Sequence, residues 1–279
     1  MSFTLTSHRG ANRNLGRFIP SPLKPLLAAP FENWRAWVGL GWTDVVQNYR
    51  RTMLGPFWIT MNLVIFTTAM TLVYGALFGV AAADYAGYVV CGMMAWLWAS
   101  ALISEVGNTF ITYSSYIRSV PVDKAIFIWA SVFKLLIVFA HNMIIFPVLL
   151  LFGIIKFSPH TLFIFPAIAI LFLLSVPITA VTSILFARYR DLPRLIGTST
   201  VIFMMLTPIF WKPDMVSGWR TAVVYLNPIH YVIEFLRKPL LGEPIGSLEL
   251  AVVLGMTAAL WVIATIIYRK YQAYVVFWV

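Results

Sequence analysis

The sequence predicts an all-α polytopic membrane protein: six transmembrane helices, an N-terminal amphipathic interface helix, and outer re-entrant helices between spans five and six. Three observations lead there. Hydrophobic residues make up 61% of the 279 residues and charged ones only 11%, against roughly 45–50% and 25% in soluble proteins, so there is too little charge to wet a soluble surface. The charges are also clustered, leaving charge-free stretches at 52–83, 85–104, 135–155, 157–187, 195–211 and 250–268. A bilayer core about 30 Å thick takes about 20 helical residues at about 1.5 Å each, which these stretches supply. Finally, Lys and Arg are distributed unevenly over the connections, as topology requires.

Residues 1–30 carry Arg9, Arg13, Arg17 and Lys24 with four prolines and no apolar core. They predict a mobile cytoplasmic arm and no cleavable signal peptide. Across 31–54, large apolar residues recur at Trp34, Trp37, Val38, Trp42, Val45, Tyr49 and Met53, one face of a helix that ends in Arg50 and Arg51. Tryptophans on that face suit the headgroup region, where the ring is buried and the indole N–H stays wet. The expectation is a helix lying on the cytoplasmic leaflet and bracing the spans.

Residues 55–270 hold the spans, at about 57–79, 86–104, 126–152, 162–186, 195–211 and 249–268. With these boundaries only Lys156, Lys212, Arg220, Arg237 and Lys238, five of the 20 Lys and Arg, lie on the side away from the termini. Both termini are therefore placed in the cytoplasm. The first two outer connections are short. The third, 212–247, is long and semi-apolar, and Pro228 and Pro239 interrupt any straight helix there. Carrying Arg220, Glu234, Arg237 and Lys238, it is too polar to span and is read as short re-entrant helices, with His230, Glu234 and Arg237 as their candidate residues, tolerated where protein or water covers the free backbone groups. A tail, 271–279, is apolar from Tyr274 to Val279.

Several function classes drop out. Cys91 is the only cysteine, which leaves no intrachain disulfide and no cysteine cluster for a metal. None of the lysines follows a glycine, so no phosphate-cradling loop for ATP is present. There is no Gly-x-Ser-x-Gly or His-Glu-x-x-His, and His8, His141, His160 and His230 are scattered; the chain is read as a non-enzyme. The formal charge of +10 sits at span ends, so nucleic acid is not an expected partner and membrane lipid is.

The stretch from Asp44 to Trp58, with Tyr49-Arg50-Arg51 and Leu54-Gly55-Pro56-Phe57-Trp58, resembles the entry to the first span of ABC-2 type permeases, in particular exporters of lipid-linked polysaccharide such as O antigen, capsule or teichoic acid. Gly55-Pro56 fits a break between surface helix and span. Two further segments match in order. Arg190-Asp191-Leu192-Pro193 leads to Thr207-Pro208-Ile209-Phe210-Trp211, and Asn227-Pro228-Ile229-His230 leads to Phe235-Leu236-Arg237 and Leu241-Gly242. The resemblance covers residues 31–270.

The resemblance implies a homodimer in the inner membrane with two copies of a cytoplasmic ABC ATPase. ATP and Mg would be held by that partner and no cofactor by this chain. It also implies that 108–120, ended by Pro121, is a coupling segment, with Tyr113, Tyr116 and Arg118 as its contact residues. The cargo would be a polyprenyl-linked glycan, O antigen first among the candidates. Aromatic faces and hydroxyls suit a sugar path, and Thr67, Thr71, Tyr74 and Phe78 in the first span form one stripe, as do Ser199, Phe203, Thr207 and Phe210 in the fifth. Such stripes equally make ordinary helix packing. Other classes stay open: a drug or lipid exporter of the same superfamily, an ion-coupled secondary transporter using Glu105 or His141, and a membrane transferase acting near Glu234 and Arg237.

Overall fold

A computed structural model describes residues 26–50, 55 and 57–279. The chain is an all-α, multi-pass membrane protein, and among the described residues five helices are long and apolar enough to cross a bilayer. The first span is Phe57–Phe78, the second begins at Ala82 and is helical to Ser104, and the third runs from Ala125 to Leu151. The fourth is Ile164–Arg188, entered through a 3-10 turn at Pro159–Phe163, and the last is Ser247–Tyr271. The third is interrupted at Met143 and Ile144. Pro147 has no N–H to give the Met143 carbonyl, and the Phe146 N–H takes that oxygen instead at 3.0 Å.

The fifth helix departs from expectation. It occupies Leu192–Leu206, not 195–211, and its 15 residues reach about 22 Å, short of a bilayer core. Pro193 opens it, as proline does at a first helical turn. Thr207 closes it with extended backbone, φ −92° and ψ 135°, because the residue before a proline avoids helical angles. None of its residues is buried.

The surface helix, Trp34–Tyr49, packs along the third span. Its apolar side divides in two. Trp37, Gly41 and Val45 face the protein, and Trp37 meets Trp129 and Phe133 at ring distances of 6.0 and 5.5 Å. Trp34, Trp42 and Val46 stay exposed. Helical periodicity gave one apolar face where the molecule uses one strip for packing and the adjoining strip for its surroundings. The last part of the proposed mobile arm is docked too: Leu26 is buried and its carbonyl accepts from Trp129 Nε1 at 3.1 Å, while Pro30 O accepts from Trp37 Nε1 at 3.0 Å. Residues 1–25 and Arg51 lie outside the described residues. Gly55 has φ 55°, the left-handed turn that its position between surface helix and first span called for.

At the far end of the chain, Val275–Trp278 folds back as a short helix against the fourth span and the Ser114–Ser119 segment. Arg190 donates to the Trp278 carbonyl at 2.6 Å and Arg188 lies over the Trp278 ring. The apolar tail is thus a packed clasp.

Gly41 permits the close approach of the surface helix. A Cβ there would lie 2.7 Å from the Ala130 carbonyl and 3.0 Å from Phe133, whereas one at Gly39 would meet nothing. Gly41→Val is expected to lower stability by about 1–3 kcal/mol through overpacking, and Gly39→Val to leave it nearly unchanged. Thermal unfolding of both variants in detergent checks this.

Candidate functional site

Two polar constellations stand out in an otherwise apolar molecule, one at each end of the bundle. The first surrounds the unwound stretch after the fifth helix. Thr207–Trp211 is non-helical, so its carbonyls have lost their helical partners, and apolar surroundings make every unmet carbonyl costly. The second span supplies donors from its first turns. The Tyr85 hydroxyl donates to the Phe210 carbonyl, and Tyr88 donates to Trp211 O at 3.0 Å and more weakly to Pro208 O at 3.3 Å.

The helix Pro228–Leu240 supplies the rest. Its Arg237 side chain is 0% exposed, donates through Nη1 to Pro208 O at 2.9 Å, pairs through Nη2 with the Glu234 carboxylate one turn earlier, and lies 3.9 Å from the Tyr88 ring centroid. A guanidinium suits this site because one planar fork can meet a carbonyl, a carboxylate and an aromatic face together. Gly92 leaves it room: a Cβ there would be 3.0 Å from Nη1. Asn227 caps the helix through Ile229 N and donates to Thr207 Oγ1 at 2.8 Å. Pro228, expected to interrupt a helix, instead occupies its first turn, where no N–H is required, and Pro239 is accommodated in the last turn. His230 is buried beside Tyr225 and Tyr231, with ring centroids 5.8 and 5.3 Å away.

The second constellation lies where both the surface helix and the segment after the second span meet the third span. That segment consists of a 3-10 turn, Val106–Asn108, and two short helices, Thr109–Thr112 and Ser114–Ser119. It ends where expected, with Val120 extended ahead of Pro121. Phe110, Tyr113 and Ile117 point inward. Tyr113 is 4% exposed, stacks on Phe127 at 4.9 Å and donates its hydroxyl to Asp44 of the surface helix. It is therefore an internal tie and cannot itself form a docking surface. Tyr116, 54% exposed, and the exposed Arg118 are the members of the named trio on the outer face.

Neither hydroxyl-aromatic stripe forms one continuous open wall in this conformation, although Thr67 and Thr71 edge a cavity of about 330 Å³ between the first three spans. Thr67 and Thr71 are buried, and Thr67 Oγ1 donates to its own helix at Leu63 O, 2.7 Å away. Tyr74 stacks on Phe210 at 5.4 Å, and Phe78 sits edge-on to Tyr85 at 6.2 Å. The first-span stripe is a seam against the second span and the unwound stretch. The other stripe divides: Ser199 and Phe203 lie on the fifth helix, which has no buried residue, while Thr207 and Phe210 are buried within the polar knot. Of the surface-helix residues, Trp34, Trp42 and Arg50 are exposed and Trp37 and Tyr49 are partly buried.

Sequence reading missed the tyrosine donors and the Asn227 bridge, because the partners lie far apart in the chain. The acid–base spacing of Glu234 and Arg237, three residues apart in a semi-apolar helix, was the available signal. Arg237→Leu strands the Glu234 carboxylate and the Pro208 carbonyl. Loss of one member of a buried pair costs about 3–5 kcal/mol. The variant is expected to melt far below the parent in detergent, and the double variant Glu234→Leu with Arg237→Leu to recover part of the loss.

Comparison with known proteins places this arrangement. The family model for the ABC-2 type transporter matches residues 36–241, from the surface helix through the helix that carries Arg237. An O-antigen export system permease protein RfbA of Klebsiella pneumoniae is 22% identical over 196 residues, covering 68% of this chain and 74% of that protein. A second RfbA permease of that organism is 20% identical over 194 residues, with the same coverage. All but the first two residues of the surface helix, the exposed ledge and the polar knot fall within the matched span, and the chain belongs to the ABC-2 type transporter family.

Proposed function

We propose that this chain is the transmembrane permease subunit of an ATP-driven exporter that moves polyprenyl-linked polysaccharide, O antigen first among the candidates, across the inner membrane. The observation that carries this reading is the similarity to two O-antigen export permeases over 68% of the chain. Both termini would be cytoplasmic, in keeping with the concentration of Lys and Arg on their side. ATP and Mg would be bound by two copies of a separate ATPase subunit.

A homodimer accords with the fifth helix, which has no buried residue, and with the exposed Met61, Ile65, Leu72 and Leu77 of the first span. Two copies facing one another across these surfaces would cover them and enclose a path between chains. The unwound stretch and its donors would close the outer mouth of that path, and the Tyr116–Arg118 ledge would receive the ATPase. Because Tyr113 ties the ledge to Asp44, a push on the ledge would reach the surface helix and through it the third span.

Tyr and Arg are enriched among residues that dominate protein interfaces, and truncating such a pair costs about 2 kcal/mol or more, about thirtyfold in affinity. Tyr116→Ala with Arg118→Ala is expected to weaken ATPase capture by the purified permease to that extent and to abolish surface glycan with the permease still folded. Normal glycan in that strain would overturn the ledge assignment. For the cargo, a deletion strain run on a surface-glycan gel is expected to lose its polysaccharide ladder. An intact ladder with altered drug tolerance would assign the chain to drug export instead.

A further inference from the structure

A cavity of about 350 Å³ lies under the coupling ledge, between the surface helix and the first three spans. That is a dozen times the roughly 30 Å³ each molecule occupies in liquid water, and it falls within the range of small-ligand sites. Its lining is divided by chemistry. Along one face of the third span come Ser131 and Lys134, then Leu135, Val138 and Phe139, then Asn142. Opposite the polar part stand Asp44 and Glu105.

The charges in this cavity are not matched internally. Asp44 accepts from Tyr113, but among the described residues neither Lys134 nor Glu105 forms a salt bridge. Glu105 is close enough to raise the Tyr49 phenol, whose shift comes first from burial and then from that carboxylate. Asn142 is 3% exposed, lines the cavity, and its Oδ1 has no hydrogen-bond partner. A buried amide left in that state costs about 1–3 kcal/mol, which an occupant of suitable chemistry would remove.

A polyanion does not fit, because two carboxylates face a single ammonium. A purely apolar occupant would leave Lys134, Glu105 and Asn142 unmet. What matches is a head bearing one phosphate and one ammonium group on an apolar tail: phosphate on Lys134, ammonium on Glu105, and the tail along Val138 and Phe139. Asn142 lies eight residues beyond Lys134, about 12 Å deeper along the helix. The glycerol esters of the same molecule lie only a few bonds below its phosphate, and the Asn142 side chain, leaning back toward Lys134 as helical side chains do, brings its amide, turned about its last bond, up to donate to an ester carbonyl.

We propose that this cavity is a binding site for a zwitterionic, amine-bearing phospholipid of the phosphatidylethanolamine type, taken from the bilayer and held between the surface helix and the third span. The bound lipid is distinct from the exported cargo. It fills the space on the inner side of the Tyr113–Asp44 tie and so supports the ledge from beneath.

The test uses the full chain purified in mild detergent from membranes of known lipid composition, with lipid retained after delipidation counted by native mass spectrometry. Phosphatidylethanolamine is expected to remain at about one molecule per chain, several-fold enriched over its share of the membrane. Lys134→Gln and Asn142→Leu are each expected to remove that enrichment. Should Asn142→Leu not fold, Val138→Phe, which narrows the apolar part and keeps every charge, is expected to give the same loss. Retained lipid in bulk proportion, enrichment of phosphatidylglycerol instead, or enrichment unchanged in Lys134→Gln would overturn the proposal. Soluble glycerophosphoethanolamine is expected not to displace the lipid; displacement at equal concentration would show a site for the free headgroup and overturn the bilayer source.

Discussion

The backbone of Thr207–Trp211 sets the terms for one end of the molecule. A proline ends the fifth helix inside an apolar protein, and the carbonyls released there need donors that water cannot supply. Three polar groups nearby answer that need, two tyrosines at the start of the second span and a buried arginine, while the asparagine at a helix cap holds the Thr207 hydroxyl. The arginine in turn requires Glu234 beside it and the absence of a side chain at position 92. A chain of dependence thus runs from one proline to Tyr88, 120 positions earlier.

The opposite end is organised by packing. There the surface helix and the exposed ledge lie on the same third span and share one hydrogen bond, Tyr113 to Asp44. The short helix Val275–Trp278 adds the fourth span, since it touches both that span and the ledge. The second span connects the two ends. It holds the unwound carbonyls with its first turns and continues into the ledge at its last.

Much of this was legible in the sequence. Charge-free runs gave five long spans within a few residues, and Gly55 and Pro121 marked real breaks, because hydropathy and backbone stereochemistry are local properties. The fifth helix was placed too long because hydropathy continues through Ile209-Phe210-Trp211 while the backbone does not. Periodicity found the apolar side of the surface helix but not its division between Trp37 and Trp42, since that depends on which neighbour lies alongside. Tyr113 was grouped with Tyr116 for the same reason: aromatic character is visible in a sequence, and direction is not. The hydroxyl stripes were visible as patterns, yet whether a stripe lines a passage or a seam is decided by what packs on it.

The fifth helix carries a consequence beyond its contacts. At about 22 Å it is shorter than a bilayer core, so it cannot by itself carry the chain across an apolar layer. The rest of that distance falls to backbone without helical hydrogen bonds, and its donors are residues of the second span and of the helix Pro228–Leu240. The length of one helix therefore fixes where in the sequence tyrosine and arginine have to stand.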